Sequence, residues 1–134
     1  MREFHWPVRV YYEDTDSGGV VYYANYLKFM ERARTEWLRS LGFEQDRLAG
    51  ELGVIFAVTE VDLRYLRPAR FNDALSVSAR VIERGRASLR FAQAVCRGEE
   101  ILCEGHVRIA SLDASSFRPR AVPQGILEEI VDVD

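Results

Sequence analysis

One amphipathic segment constrains the fold of this chain more than any other feature. Its apolar residues recur at steps of three and four, namely Tyr26, Met30, Ala33, Trp37 and Leu41, with Leu27 and Leu38 widening the stripe. This spacing is the period of one face of an α-helix. Asn25 is a candidate N-cap, and Gly42 is a candidate left-handed residue just past the end. We therefore predict a long helix whose apolar face must be buried by another part of the chain.

The remaining segments show the patterns of β-strands. The predicted strands cover residues 8–12 before the helix and 54–66, 75–81, 89–96 and 101–112 after it, with a hairpin turn over 97–100. Shorter helical segments are expected over 45–52, ending at Gly53, and over 126–130. Short turns between successive strands favour a mostly antiparallel sheet with the helix on its concave face. We predict an α+β fold in a single domain over 1–134, with one long helix wrapped by a curved antiparallel sheet of about five strands.

Composition excludes several classes of function. The 134 residues carry 18 basic and 21 acidic side chains, a net charge of −3, so the chain lacks the basic surface of a nucleic-acid binder. No apolar run approaches the roughly 18 residues of a membrane span, and the first seven residues do not resemble a signal peptide. Cys96 and Cys103 are expected to be free thiols in the core, which favours the cytoplasm. Two histidines without zinc spacing predict no metal site.

The loop before the long helix holds an unusual density of special residues. Residues 11–26 read Y-Y-E-D-T-D-S-G-G-V-V-Y-Y-A-N-Y. Gly18 and Gly19 permit positive φ and close approach of backbone to a ligand. Free amides at a helix N-terminus can stabilise a developing oxyanion, and a nearby aspartate can act as nucleophile or general base. The alternative is that Asp14 and Asp16 only bond turn amides, and their spacing leaves both interpretations open.

These residues resemble a known signature. Residues 9–26 and 29–34, together with Tyr65, Pro68 and 73–75, are similar to hot-dog-fold acyl-CoA thioesterases, in particular the 4-hydroxybenzoyl-CoA thioesterase class and the Tol-Pal-associated acyl-CoA thioesterases. The similarity extends over nearly the whole chain. It implies hydrolysis of an acyl-CoA thioester without a cofactor, since coenzyme A is part of the substrate. It also implies a homodimer or homotetramer, with sheets joined edge to edge and the site at the dimer interface.

The resemblance assigns roles to residues of the loop. Asp16 matches the catalytic carboxylate, the Tyr23 amide matches the group that polarises the thioester carbonyl, and Gly19 lets the substrate approach that amide. Tol-Pal-associated members usually have histidine where this chain has Tyr23, whereas the 4-hydroxybenzoyl class has an aromatic residue there. The acyl group is therefore left open between an aromatic acid such as 4-hydroxybenzoate and a short chain. Tyr22 and Tyr26 are candidates to line its pocket, or else ordinary packing residues.

Other polar residues are candidates for substrate binding, namely Glu31, Arg84, Arg86 and Ser88. A related thioesterase class uses a helical glutamate as its catalytic carboxylate, but Glu31 can equally pair with Arg34 or Thr35 on a polar flank of the helix. The other three residues surround a turn between two strands. Guanidinium groups suit the phosphates of coenzyme A, and the matching segment of the 4-hydroxybenzoyl class supplies basic residues for the nucleotide. A solvated turn is the alternative interpretation.

Two other functions are compatible with the same fold. Enoyl-thioester hydratases and dehydratases resemble these thioesterases but pair a histidine with a carboxylate. Here His5 is expected at a strand edge and His106 as a packed, hydrogen-bonded residue on a strand, both remote from the loop in sequence. A non-catalytic acyl-binding protein that contacts acyl carrier protein is the second alternative. The combination of Asp16 with two glycines favours catalysis.

Overall fold

The computed structural model describes residues 3–130 of the chain. Its main elements are the strands β1 (Phe4–Arg9), β2 (Val54–Tyr65), β3 (Ala74–Arg84), β4 (Ser88–Arg97) and β5 (Glu100–Asp113) and the helix α1 (Asn25–Ser40). The smaller elements are a 3-10 turn at Tyr12–Asp14, the helix α2 (Gln45–Arg47) continued by a π-helical turn at Leu48–Leu52, and the helix α3 (Gln124–Leu127). This confirms the predicted succession of one strand, one long helix and four strands.

All strands belong to one antiparallel five-stranded sheet with the order β1-β3-β4-β5-β2. Hairpins join β3, β4 and β5, as expected from the short turns. β1 and β2, the edges of the sheet within residues 3–130, instead pair with strands that are distant in sequence. β1 lies over Phe4–Arg9, so its predicted position at 8–12 is wrong. After Arg9, the Val10 amide and carbonyl bond Asp73 and Asn72 just before β3, and the chain then turns at Tyr12–Asp14.

Helix α1 buries most of the predicted stripe against the sheet. Tyr26, Met30 and Ala33 are buried together with Phe29 and Leu38, and they pack on the sheet residues Leu75, Val77, Leu89, Phe91 and Val95. Leu27 is 38% exposed, so its assignment to the stripe is wrong. Asn25 is the first helical residue rather than the N-cap, which is Ala24. Gly42 has a φ of 95°, which confirms the predicted left-handed residue after the helix.

A β-bulge in β2 changes which side chains face the helix. The pairing of β2 with β5 slips between Val58 and Glu60, which leaves Thr59 as an extra residue. Val58 and Val61 are three residues apart and would face opposite sides of a regular strand, yet both line the space beside α1. The bulge therefore gives β2 a longer row of apolar side chains toward α1.

The outward face of the sheet is charged and holds one of the two histidines. His106 Nδ1 lies 3.0 Å from Asp62 Oδ1, so the prediction of a hydrogen-bonded histidine is confirmed. The prediction that His106 is packed in the interior is wrong, because 40% of its side chain is exposed. His5 lies on the edge strand β1, as expected. The polar partners of the two histidines within residues 3–130 are Glu3, Ser76 and Asp62, none of which belongs to the loop before α1.

The cysteines are free, and Cys103 belongs to the core as predicted, whereas Cys96 is only half-buried, so its predicted place in the core is wrong. Burial raises the pKa of the Cys103 thiol to about 12, so this thiol is protonated and unreactive at neutral pH. Among residues 3–130, no three His, Cys, Asp or Glu side chains converge as a metal site would require. None of the helices in this part of the chain is both long and apolar enough to cross a membrane.

Candidate active site

The loop between β1 and α1 forms a small hairpin. Thr15 pairs with Val21, the Asp16 amide donates to the Val20 carbonyl at 2.9 Å, and the Gly19 amide donates to the Asp16 carbonyl at 3.0 Å. Gly19 has a φ of 83°, a conformation that favours glycine. Gly18 does not adopt positive φ, contrary to expectation. Its lack of a side chain matters for another reason, because a Cβ there would lie 3.2 Å from Asp16 Oδ1.

The structure separates the roles of the two aspartates. Asp14 is buried, accepts a hydrogen bond from the Tyr11 amide at 2.8 Å, and lies 3.3 Å from the side-chain amide of Asn25. The turn-bonding interpretation therefore describes Asp14. Asp16 is exposed, and its Oδ1 accepts one hydrogen bond, from the Gly18 amide at 2.8 Å. No donor within residues 3–130 bonds its Oδ2, which leaves that oxygen free to act on a ligand.

The start of α1 presents a free backbone amide beside this loop. The Tyr22 amide donates to the Asp14 carbonyl, and the Asn25 amide donates to the Tyr22 carbonyl, both at 2.8 Å. The Tyr23 amide between them has no acceptor in the described part of the chain. Because an α-helix N-terminus carries partial positive charge, this N–H is suited to bind a developing oxyanion. The Thr15–Val21 pair keeps Asp16 near the same helix end.

Three tyrosines meet at the surface beside this amide. The rings of Tyr22 and Tyr23 are 4.8 Å apart, and the Tyr65 hydroxyl donates to the Tyr23 carbonyl at 3.0 Å. A hydrogen bond to the Tyr23 side chain raises the pKa of Tyr22, whereas burial raises that of Tyr65. Tyr26 is buried and its hydroxyl accepts a hydrogen bond from the Ala69 amide, so the packing interpretation applies to it.

A groove runs between α1 and β2, and we call it the α1–β2 groove. Two cavities of about 270 Å³ each make up the groove. The cavity nearer the start of α1 is lined by Leu27, Lys28, Glu31, Arg34, Val58, Val61 and Val107, and the other by Glu31, Arg34, Thr35, Trp37, Leu38, Gln45, Phe56, Val58, Leu89, Phe91 and Ile109. Glu31, Arg34 and Val58 line both cavities, so the two cavities are neighbours along α1. Glu31 therefore faces this groove.

Arg34 and Gln93 are polar residues of the groove region that the sequence analysis missed as functional candidates. Arg34 Nη1 donates to Gln93 Oε1 at 2.9 Å, and Gln93 Nε2 donates to the carbonyls of Met30 and Ser78. Burial lowers the pKa of Arg34, and the charge of Glu31 acts in the opposite direction. Gln93 interrupts the apolar face of its predicted strand, and this was the one feature of the sequence that could have identified it as a buried polar residue. Its partners on α1 are distant in sequence.

The predicted basic turn lies far from Asp16 within one chain. Arg84 Nη1 donates to the carbonyls of Leu127 and Ile130, so this guanidinium holds the C-terminal segment. Arg86 is exposed, and Ser88 begins β4. The hairpin holding Asp16 contacts Arg70, before the start of β3, whereas the basic turn follows its end. The intervening strand is about 33 Å long at the usual rise per residue.

Gly19 offers a direct test of the loop geometry. We expect Gly19→Ala to lower the free energy of unfolding by about 1–2 kcal/mol, because its φ is costly for any residue with a Cβ. Urea unfolding measures this change. Gly50→Ala is the matched control, since Gly50 has no positive φ and a Cβ there meets open space. Equal stability of the two variants would contradict the strained conformation at Gly19.

Comparisons with known proteins agree with this architecture. The model of the thioesterase superfamily matches residues 18–104. The acyl-CoA thioester hydrolase YbgC of Escherichia coli O6:H1 is 44% identical to the chain, covering 94% of each protein. The acyl-CoA thioesterase YbgC of Haemophilus influenzae is 43% identical, covering 92% of this chain and 90% of the relative.

Solved structures show the same fold. A probable thioesterase from Bartonella henselae superposes with a TM-score of 0.87 at 35% identity, covering 91% of this chain and all of the other. A 1,4-dihydroxy-2-naphthoyl-CoA thioesterase from Synechocystis superposes with a TM-score of 0.89 at 20% identity, covering 98% and 97% of the two chains. The sheet, the central helix and these matches together show that the chain has the hot-dog fold and belongs to the thioesterase superfamily.

Proposed function

We propose that this protein hydrolyses acyl-CoA thioesters to a free acid and coenzyme A. The observation that carries the proposal is the exposed Asp16 carboxylate on the hairpin that leads into α1, with the Tyr23 amide left without an acceptor just before the helix. The relatives named as acyl-CoA thioesterases support it. A thioester is already activated for acyl transfer, so the reaction needs no resident cofactor. The acyl group is an aromatic acid such as 4-hydroxybenzoate or a short chain.

Two chemical routes fit this arrangement of groups. In the first, Asp16 attacks the thioester carbonyl and expels the coenzyme A thiolate, and water then hydrolyses the mixed anhydride. In the second, Asp16 removes a proton from water, and the resulting hydroxide attacks the same carbonyl. The Tyr23 amide stabilises the tetrahedral oxyanion in both routes. Label in the Asp16 carboxylate after a single turnover in ¹⁸O-water identifies the first route with attack of water on the aspartyl carbonyl, because the second route leaves this carboxylate unlabelled.

Release of free thiol from a panel of acyl-CoAs tests the proposed activity. The panel holds 4-hydroxybenzoyl, short-chain and long-chain thioesters, and we expect kcat/KM of at least about 10⁴ M⁻¹ s⁻¹ for one of them. Saturable binding with no thiol released would instead identify an acyl-binding protein. Hydration of crotonyl-CoA would identify a hydratase, but both histidines lie away from the loop.

We infer that two chains join through β2 and that such dimers pair into a tetramer. β2 is an edge strand within residues 3–130, and Val58 and Val61 are exposed along it. A long edge with exposed apolar residues tends to pair with another strand, and a two-fold axis is the usual symmetry. Dimerisation would cover the α1–β2 groove, which opens beside the same strand.

This dimer would also complete the coenzyme A site. Within one chain, the Tyr65 end of β2 lies at Tyr23. The other end of β2 lies toward the basic turn, since Phe56 pairs with Ser111, whose amide bonds Ala87. Two antiparallel copies of β2 place opposite ends together. We therefore propose that the partner's Arg86, together with Arg84 and Ser88 of the partner subunit, lies toward Asp16 and receives the phosphates.

Mixed dimers test this shared site. We expect Asp16→Asn and Arg86→Ala to lower kcat/KM separately, because each removes one half of every site. When equal amounts are coexpressed, about a quarter of the wild-type sites should be intact, since half of randomly formed dimers carry one unmutated pair. Recovery of about a quarter of wild-type kcat/KM supports the arrangement. A mixture no more active than the average of the two variants would contradict it.

The carrier of the acyl group and the location of the protein complete the proposal. Coenzyme A and acyl carrier protein both present the acyl group on a pantetheine thiol, so either is a substrate carrier or partner for this site. The exposed aromatic residues around Tyr23 fit such a partner. The two free cysteines support a cytoplasmic location. Parallel assays with acyl-CoA and acyl carrier protein thioesters identify the carrier.

A further inference from the structure

The backbone around the free Tyr23 amide is held from the loop by its neighbours. The Tyr22 amide donates to the Asp14 carbonyl, and the Asn25 amide donates to the Tyr22 carbonyl, both at 2.8 Å. The second bond closes a turn over residues 22–25 that contains the Tyr23 amide. These bonds fix the chain on either side of Tyr23, but neither the donors nor the acceptors belong to Tyr23 itself.

The Tyr65 hydroxyl on β2 bonds the Tyr23 backbone directly. It donates to the Tyr23 carbonyl at 3.0 Å from a position 42 residues away in the sequence. Within residues 3–130, no backbone amide donates to this carbonyl, so the Tyr65 side chain supplies its partner. The two peptide groups of a residue rotate about the same Cα. A hydrogen bond to the carbonyl therefore limits the rotation that would turn the N–H away.

The Tyr65 ring is itself held by its surroundings. Its centroid lies 5.6 Å from that of Tyr26 and 6.3 Å from that of Tyr23, and both contacts are edge to face. Tyr26 is buried, and its hydroxyl accepts a hydrogen bond from the Ala69 amide. The backbone of Tyr65 pairs with Cys103 on β5. Tyr65 therefore reaches Tyr23 from a fixed position on the sheet.

We propose that Tyr65 is a positioning residue for the reaction, whose hydroxyl holds the Tyr23 backbone so that its amide is aligned with the developing oxyanion. The inference rests on the proposed thioesterase function. Negative charge gathers on the carbonyl oxygen in the transition state, so the alignment of this amide affects kcat more than KM. A small error is sufficient, since a displacement of about 1 Å can slow a reaction about 10²-fold.

Removing one oxygen atom tests this role. We expect Tyr65→Phe to lower kcat for the best acyl-CoA of the panel by about 10–100-fold and to leave KM within about twofold of wild type. Phenylalanine keeps the ring contacts and loses the donor. Tyr12→Phe is the matched control, because Tyr12 is 74% exposed and its hydroxyl bonds no group within residues 3–130. It should keep the wild-type kcat, and both variants should keep the wild-type Tm.

A second substitution separates positioning from proton transfer by the same hydroxyl. Replacing Tyr65 by 4-aminophenylalanine restores an N–H donor at this point, but the amine is a far weaker acid than the tyrosine hydroxyl. We expect it to recover most of the kcat that Tyr65→Phe loses.

Three results would overturn the inference. They are wild-type kcat in Tyr65→Phe, a loss confined to KM, and a 4-aminophenylalanine variant as slow as Tyr65→Phe. Absence of hydrolysis by the wild-type protein with every acyl-CoA would instead overturn the proposed function itself.

Discussion

Replacing Asp16 by asparagine is expected to lower kcat/KM for acyl-CoA hydrolysis by roughly 10²–10⁴-fold. Asparagine cannot attack the thioester as a carboxylate does, and it cannot remove a proton from water. Its side-chain oxygen can still accept the hydrogen bond from the Gly18 amide, so the loop should keep its conformation. Thiol release with the best substrate of the panel measures the loss.

The control for this substitution is another exposed carboxylate of the same loop. Glu13→Gln makes the same chemical change three residues away and should leave kcat/KM within a small factor of wild type. Thermal unfolding of both variants should give Tm values close to wild type, because neither carboxylate is buried. A folded Asp16→Asn protein with wild-type turnover would exclude Asp16 from the reaction.

Truncating Phe91 to alanine should cause a large loss of stability, about 3–5 kcal/mol in the free energy of unfolding. The Phe91 side chain is completely buried between α1 and the sheet, and its ring meets Trp37 edge to face at a centroid distance of 5.2 Å. Removing it leaves a cavity that the surrounding strands and helix cannot fill by small shifts. Urea unfolding at equilibrium measures the change.

An exposed phenylalanine provides the comparison for this truncation. Phe117 is 65% exposed, so Phe117→Ala should change the free energy of unfolding by no more than about 0.5 kcal/mol. A Phe91→Ala protein as stable as Phe117→Ala would mean that Phe91 does not lie in the core described here. The two substitutions remove the same atoms, so their difference isolates the effect of burial.

Local patterns predicted most of the fold. The apolar spacing over Tyr26, Met30 and Ala33 identified α1 because helical period and burial coincide there. Leu27 has the apolar character of this stripe but is exposed, because it lies beside the groove rather than between the helix and the sheet. The position of β1 was wrong for a related reason. The extent of β1 depends on its pairing with β3, which is about 70 residues away in the sequence. The residues around position 9 do not indicate that pairing.

The candidate site was likewise predicted where its residues are close in the sequence and missed where they are distant. Residues 14–26 are close in the chain, so the motif predicted that Asp16, Gly19 and the Tyr23 amide lie together. The structure shows Asp16 and Gly19 in one small hairpin that leads into α1. The motif did not distinguish the two aspartates, of which Asp14 is buried beside Asn25 and Asp16 is exposed. The sequence analysis assigned the basic turn to the same site as Asp16. Within one chain, however, the basic turn and the Asp16 hairpin lie at opposite ends of β3.

The sequence by itself determined the helix, the four strands after it and the loop with its aspartate and glycines, because these features arise from residues near one another in the chain. Only the tertiary structure decided the strand order, the bulge at Thr59 and the pairing of Arg34 with Gln93. These contacts join residues tens of positions apart, and their partners are selected by the packing of the whole sheet against α1. The α1–β2 groove exists for the same reason, since each of its walls comes from a different part of the chain.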